Sequence, residues 1–200
     1  MSVVVGYNRS AAAAERLARS LPGAGHLARH APVTDSAALT ALAVGLERCD
    51  ALVNCAGTTR FVKHSDLDAL DDALIDTILA TNVRGAFAAV RALRPLLEKS
   101  ALPGGGVVVN LSSAAGNIAI GSNVMYCASK AALDNMTKSL ARALASAHAH
   151  RLRCKSLPPI QNGEAELLVA GFLATRDITI CPARYAAPVE QRLHSVRRGH

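Results

Sequence analysis

The feature that most constrains this chain is its alternation of short apolar runs, rich in β-branched residues, with longer stretches of helical spacing. Val3-Val4-Val5, Ala51-Leu52-Val53 and Val107-Val108-Val109-Asn110-Leu111 are each too short to be helices and end at glycine or polar residues. Helical periodicity then appears over Ala11 to Ser20, Leu67 to Leu79, Val83 to Leu97 and Val124 to Ala147. Between the first two runs, His26 to Ala31 reads as a weaker strand, and Thr34-Asp35 caps a helix reaching Leu46. Leu152 to Leu157 reads as a last strand before Pro158-Pro159. Continuous apolar runs suit strands buried on both faces, and strands alternating with helices build a parallel sheet. The expected fold is therefore α/β, a parallel sheet with helices on both faces.

Half of the residues are hydrophobic but only 3% are aromatic and none is Trp, so the core has to be built from Ala, Leu and Val. The formal charge of +7 raises the question of nucleic acid. Residues 1–147 hold 14 Lys/Arg against 11 Asp/Glu, and the remainder 8 against 4, so the relative excess lies toward the end. A solvated basic tail accounts for that distribution, and no nucleic-acid-binding motif accompanies it. The five cysteines form no CxxC pair and no His stands at ligand spacing, which argues against a structural metal or a disulfide framework. No apolar run approaches the length of about 20 residues that spans a bilayer, and the opening residues are too few for a signal peptide. The expectation is a cytoplasmic protein without nucleic-acid or membrane partners.

Chemistry concentrates on the last long helix. Tyr126 and Lys130 are four residues apart, so their side chains leave the same face. A tyrosine hydroxyl is a poor proton donor or acceptor at neutral pH, and a neighbouring ammonium improves it. Ser113 follows the strongest strand and stands 13 positions before Tyr126, where a loop can return its hydroxyl to the helix start.

The run Val108 to Gly116 followed by Tyr126-Cys127-Ala128-Ser129-Lys130-Ala131-Ala132-Leu133 resembles the active-site segment of the short-chain dehydrogenase/reductase family. Asn54-Cys55-Ala56-Gly57 is similar to the family's Asn-Asn-Ala-Gly segment, with Cys55 replacing the second Asn. Thr81-Asn82-Val83-Arg84-Gly85 is similar to the helix segment carrying the family's catalytic Asn, and Tyr7-Asn8-Arg9-Ser10 to the turn after its second strand. The resemblance implies an oxidoreductase that passes a hydride between NADP(H) and a small carbonyl or alcohol, NAD(H) being possible. On it, Tyr126 exchanges the proton as general acid or base, Lys130 assists it and bonds the nicotinamide ribose, Ser113 orients the substrate oxygen, and Asn82 holds a water. Asn54, Ala56 and Gly57 shape the adenosine side, and Asn8 and Arg9 face the 2′-phosphate. On the same resemblance Pro159, in the turn after the sixth strand, is a further cofactor-binding position, as are Tyr126 and Lys130.

The resemblance also implies departures. The fold it implies is a Rossmann-like doubly wound parallel sheet with helices on both faces over residues 1–160, followed by a divergent tail over 161–200. Because the chain begins at the family's second strand, the sheet is expected to be incomplete at its N-terminus and to lack the glycine-rich turn that receives the pyrophosphate. Gly23-x-Gly25 follows a helix and reads as a C-cap and turn instead. Pro32 replaces an Asp that contacts adenine. A homodimer or homotetramer is implied, and the alternative to catalysis is an impaired remnant acting only through that association.

Overall fold

The computed structural model describes residues 2–145 and 153–157. Pro159 and the expected tail over 161–200 lie outside the described residues. The element order is β1 (Val4–Tyr7), α1 (Ala11–Ser20), β2 (Leu27–His30), α2 (Ser36–Val44), β3 (Ala51–Asn54), α3 (Asp72–Leu79), a π-helical turn (Ala80–Gly85), α4 (Ala86–Leu97), β4 (Val107–Leu111), α5 (Ala115–Ile118), α6 (Val124–Ala145) and β5 (Arg153–Leu157).

All strand pairs are parallel, and the strands form two sheets rather than one. β1 pairs with β2, in register Val4 with Leu27. β4 lies between β3 and β5, with Ala51 opposite Val107, Asn54 opposite Asn110 and Val107 opposite Arg153. No described strand joins β1 to β3, so the expected α/β architecture is present with its sheet divided at that point. Gly23 and Gly25, with φ of 107° and 82°, turn the chain between α1 and β2, while the helix itself ends at Leu21.

The helices begin where side chains satisfy their first amides. Asp35 Oδ1 accepts from Ala37 N and Ala38 N at 2.9 and 3.1 Å, which starts α2. Asp71 Oδ1 accepts from Leu74 N at 2.7 Å and starts α3. The helix expected from Leu67 therefore begins five residues later, because Asp66 and Asp71 turn the preceding segment and leave Leu67 65% exposed. Ser10 precedes α1 without a side-chain capping bond.

From Asp72 to Leu97 the chain is one helical rod of 26 residues, long and apolar enough on length and composition alone to cross a membrane. That corrects the expectation that no segment approaches such a length. Packing accounts for its apolar stripe. Val90, Leu93, Leu96 and Leu97 are buried with Val108 of β4, and Ala88 and Ala89 are buried with Leu39 of α2 and with Ala31. Leu52 of β3 touches both clusters and so connects the region around β2 to the three-stranded sheet. A fully buried leucine such as Leu97 contributes about 2 kcal/mol relative to exposure. α1 packs on β1 and β2, and α6 packs on β4 and β5.

Candidate active site

The three-stranded sheet ends in a ladder of buried amides and hydroxyls. Asn54 is the last residue of β3 and is buried, with its Nδ2 donating to Asn110 Oδ1 at 2.8 Å and to Ala86 O at 3.4 Å. Asn110 Nδ2 donates to Thr137 Oγ1 at 2.8 Å, and Thr137 Oγ1 donates to Leu133 O at 2.7 Å. Asn54 thus points into the protein and ties β3 to β4 and, through Asn110, to α6. The three residues after it, Cys55, Ala56 and Gly57, are exposed beyond the carboxyl end of β3.

Asn82 lies in the π-helical turn and is 1% exposed. A π turn widens the helix by one residue, which pushes a side chain out of the regular 3.6-residue rows. Asn82 Oδ1 accepts from Thr58 N at 2.8 Å, and Nδ2 donates to Thr58 O at 3.1 Å and Ser129 Oγ at 3.0 Å. Both N–H groups are committed to protein partners, so this side chain clamps the loop after β3 to α6. Ser129, fully buried, completes the clamp by donating to Tyr126 O at 2.7 Å.

α6 carries Tyr126 and Lys130 on one face, as their spacing requires. Tyr126 is half-buried, while Lys130 is only 6% exposed. Lys130 Nζ donates to Leu111 O at 2.8 Å and lies 5.7 Å from the Tyr126 ring centroid. Burial holds the Lys130 ammonium below its ordinary range, and Asp134 and Cys55 partly offset this. Although Cys55 is exposed at the surface, the protein around its thiol desolvates it and pushes it the other way, with Lys130 offsetting part of the rise. A Cβ built on Gly57 would stand 3.8 Å from Lys130 Nζ and 3.6 Å from Asn82 Oδ1, both ordinary contacts, so the protein's own packing does not demand glycine there.

Ser113 is half-buried just past β4, and its Oγ accepts from Ala115 N at 3.2 Å. The adjacent Ser112 donates to Lys130 O at 3.3 Å, which fixes this loop against α6. Two glycines permit the close fit. A Cβ on Gly116 would lie 2.7 Å from Ala131 N, and one on Gly121 would lie 3.1 Å from Cys127 Sγ and 3.5 Å from Tyr126 Cδ1. Between them, Ala119 adopts φ of 54°, a left-handed conformation unusual for a residue with a Cβ.

The structure therefore brings Asn82, Gly57, Tyr126 and Lys130 into one region, with Ser113 at its β4 edge. Asn8 and Arg9 are exposed in the turn after β1, which belongs to the two-stranded sheet. Asn110, Asn123, Ser129 and Thr137 were not singled out as site residues from the sequence. Their signal was available as polar residues at positions that the strand and helix patterns bury.

A family model described as short chain dehydrogenase matches residues 1–159. The D-threitol dehydrogenase of Mycolicibacterium smegmatis is 34% identical over 145 residues, covering 69% of this chain and 53% of that protein. The 2-(S)-hydroxypropyl-CoM dehydrogenase 3 of Xanthobacter autotrophicus is 38% identical over 135 residues, covering 64% and 50%. The chain thus spans about half the length of these curated relatives. A solved structure of Pseudomonas aeruginosa RhlG, in an active-site complex with NADP, superposes with a TM-score of 0.66 at 27% identity, covering 78% of this chain and 61% of that one. Given the family match over most of its length and the parallel α/β fold with its clustered Tyr126, Lys130 and Asn82, the chain belongs to the short-chain dehydrogenase/reductase family.

Proposed function

We propose that this protein reduces a small carbonyl compound, or oxidises the corresponding alcohol, with NADP(H), and that Tyr126 is its general acid or base. The observation that carries the reading is the buried Lys130 ammonium beside the half-buried Tyr126, held on Leu111 O next to the exposed Gly57.

Bound nicotinamide supplies or accepts the hydride at the substrate carbon. In the reductive direction the Tyr126 hydroxyl gives its proton to the substrate oxygen as the carbonyl becomes an alcohol. Lys130, within 5.7 Å of the ring, stabilises negative charge left on the phenolic oxygen. Ser113 donates its hydroxyl proton to the substrate oxygen while its Oγ continues to accept from the Ala115 amide. Asn82 acts as a positioning residue, because its amide is engaged with Thr58 and Ser129.

The residues present suit the nicotinamide ribose. Gly57 leaves open space in front of Lys130 and Asn82, where a side chain would fill room that the protein does not use. At the other end of the cofactor, Arg9 is exposed after β1 and no acidic residue ends that strand, which favours a 2′-phosphate over a free ribose hydroxyl. The NADP bound in the RhlG complex agrees with this preference. Among the described residues no glycine-rich turn leads from a strand directly into a helix, so none is assigned to the pyrophosphate.

The test is NADPH titration of the chain followed by a panel of small ketones. NADPH is expected to bind and be consumed, and Tyr126→Phe is expected to keep binding while losing most of kcat. Equal turnover by Tyr126→Phe would refute the proton-donor assignment, and absence of NADPH binding would refute the cofactor assignment.

A further inference from the structure

Resting on that reading, we infer that Asn123 is a positioning residue that locks the start of α6, and with it Tyr126, to the loop after Gly57. Asn123 is fully buried immediately before Val124. Its Oδ1 accepts from Tyr126 N at 2.7 Å, the bond that a helix cap makes to the third residue of its helix. A cap needs only that acceptor.

Asn123 uses its other end as well. Its Nδ2 donates to Arg60 O at 2.7 Å and to Thr59 Oγ1 at 3.1 Å, across more than 60 residues of sequence. Thr59 and Ser122 hydroxyls lie 2.5 Å apart, and Val62 N donates to Ser122 O at 2.8 Å. One amide group therefore caps the helix carrying Tyr126 and also holds the loop that continues from Gly57-Thr58. Asn82 and Ser129 fix Thr58 and Tyr126 O from the other side, so Tyr126 is held between two amide clamps. Because reacting atoms must be held within a fraction of an ångström, loss of this second clamp falls on the chemical step rather than on binding.

The two duties separate by substitution. Asn123→Asp keeps the capping oxygen and removes both donations to the loop. Thr59→Val leaves the Asn123 cap on Tyr126 N in place and removes, from an exposed position, one of the two acceptors of Asn123 Nδ2 together with the Thr59–Ser122 contact, so it keeps the test valid should Asn123→Asp unfold. Each is expected to lower kcat on the order of tenfold with the KM values for ketone and NADPH within about twofold. A second readout needs no turnover. With no Trp and only three Tyr, Tyr7→Phe and Tyr185→Phe leave Tyr126 as the sole strong emitter. Iodide quenching of that emission is expected to rise in both variants. Wild-type kcat and wild-type quenching in the variants would overturn the inference and leave Asn123 a helix cap only. Should the parent protein consume no NADPH, the proposed function fails, while the quenching comparison still decides the clamp.

Discussion

Replacing Asn110 with alanine tests the buried ladder beneath the site. Asn110 is 0% exposed, accepts from Asn54 at 2.8 Å and donates to Thr137 at 2.8 Å. Asn110→Ala removes two hydrogen bonds, each worth about 1 kcal/mol net. It also leaves an Asn54 N–H in the interior without its acceptor, which costs about 1 kcal/mol or more. Asn54 keeps its 3.4 Å bond to Ala86 O, and Thr137 keeps its donation to Leu133 O, so neither residue is wholly orphaned. The sum is about 3 kcal/mol, large against the ~5–15 kcal/mol stability of a typical domain. Thr137→Val should cost about 2 kcal/mol, because it removes the Asn110 acceptor and the hydroxyl's own bond to Leu133 O. The double variant should fall short of additivity by about 1 kcal/mol, since the Asn110–Thr137 bond can be lost only once. Urea unfolding followed by circular dichroism reads these values as midpoint shifts at constant slope. A cost for Asn110→Ala below about 0.5 kcal/mol, or strict additivity of the pair, would refute the ladder as a coupled unit.

Burial lowers the Lys130 pKa from the 10.5 of the unfolded chain, so within the window just below 10.5 the unfolded state binds more protons and stability rises with pH. Lys130→Met is expected to flatten that rise in urea midpoints measured from pH 7 to 10; an unchanged slope would assign it elsewhere. All three described thiols are raised by desolvation, Cys49 to about 11, but Cys49 is also partly buried and Cys127 buried, whereas Cys55 is exposed to reagent. In a Cys154→Ser/Cys181→Ser background, a thiol reagent at pH 7.5 should therefore modify Cys55 first, and NADPH should slow it; peptide mapping checks both. Gly116→Ala places a Cβ 2.7 Å from the Ala131 backbone nitrogen, and overpacking against backbone is expected to cost about 1–3 kcal/mol in the same urea assay.

Much of the fold was legible because strand and helix leave different periods in the chain. α1 and β4 occupy the residues their patterns imply, and the Tyr126 and Lys130 spacing placed both on one helix face. The start of α3 was less legible, since Leu67 and Leu70 continue the apolar rhythm while Asp66 and Asp71 bond nearby amides and hold the segment in turns. Asn54 shows the same limit for function. A residue in a binding motif reads as facing the ligand, yet its amide is spent on Asn110 and Ala86.

The chain's own order determined the alternation of strands and helices, the identity of the strand ends, and the residues able to move a proton, because these follow from local period and side-chain chemistry. The gap in the sheet between β1 and β3 follows the missing family strand already expected from the sequence, whereas tertiary structure alone decided that Asn82 is a clamp and that Asn123 joins Tyr126 to the Gly57 loop. Those outcomes depend on which buried donor meets which acceptor across 24 to 64 residues of sequence. Burial makes each such bond obligatory, and only the folded arrangement selects the partner.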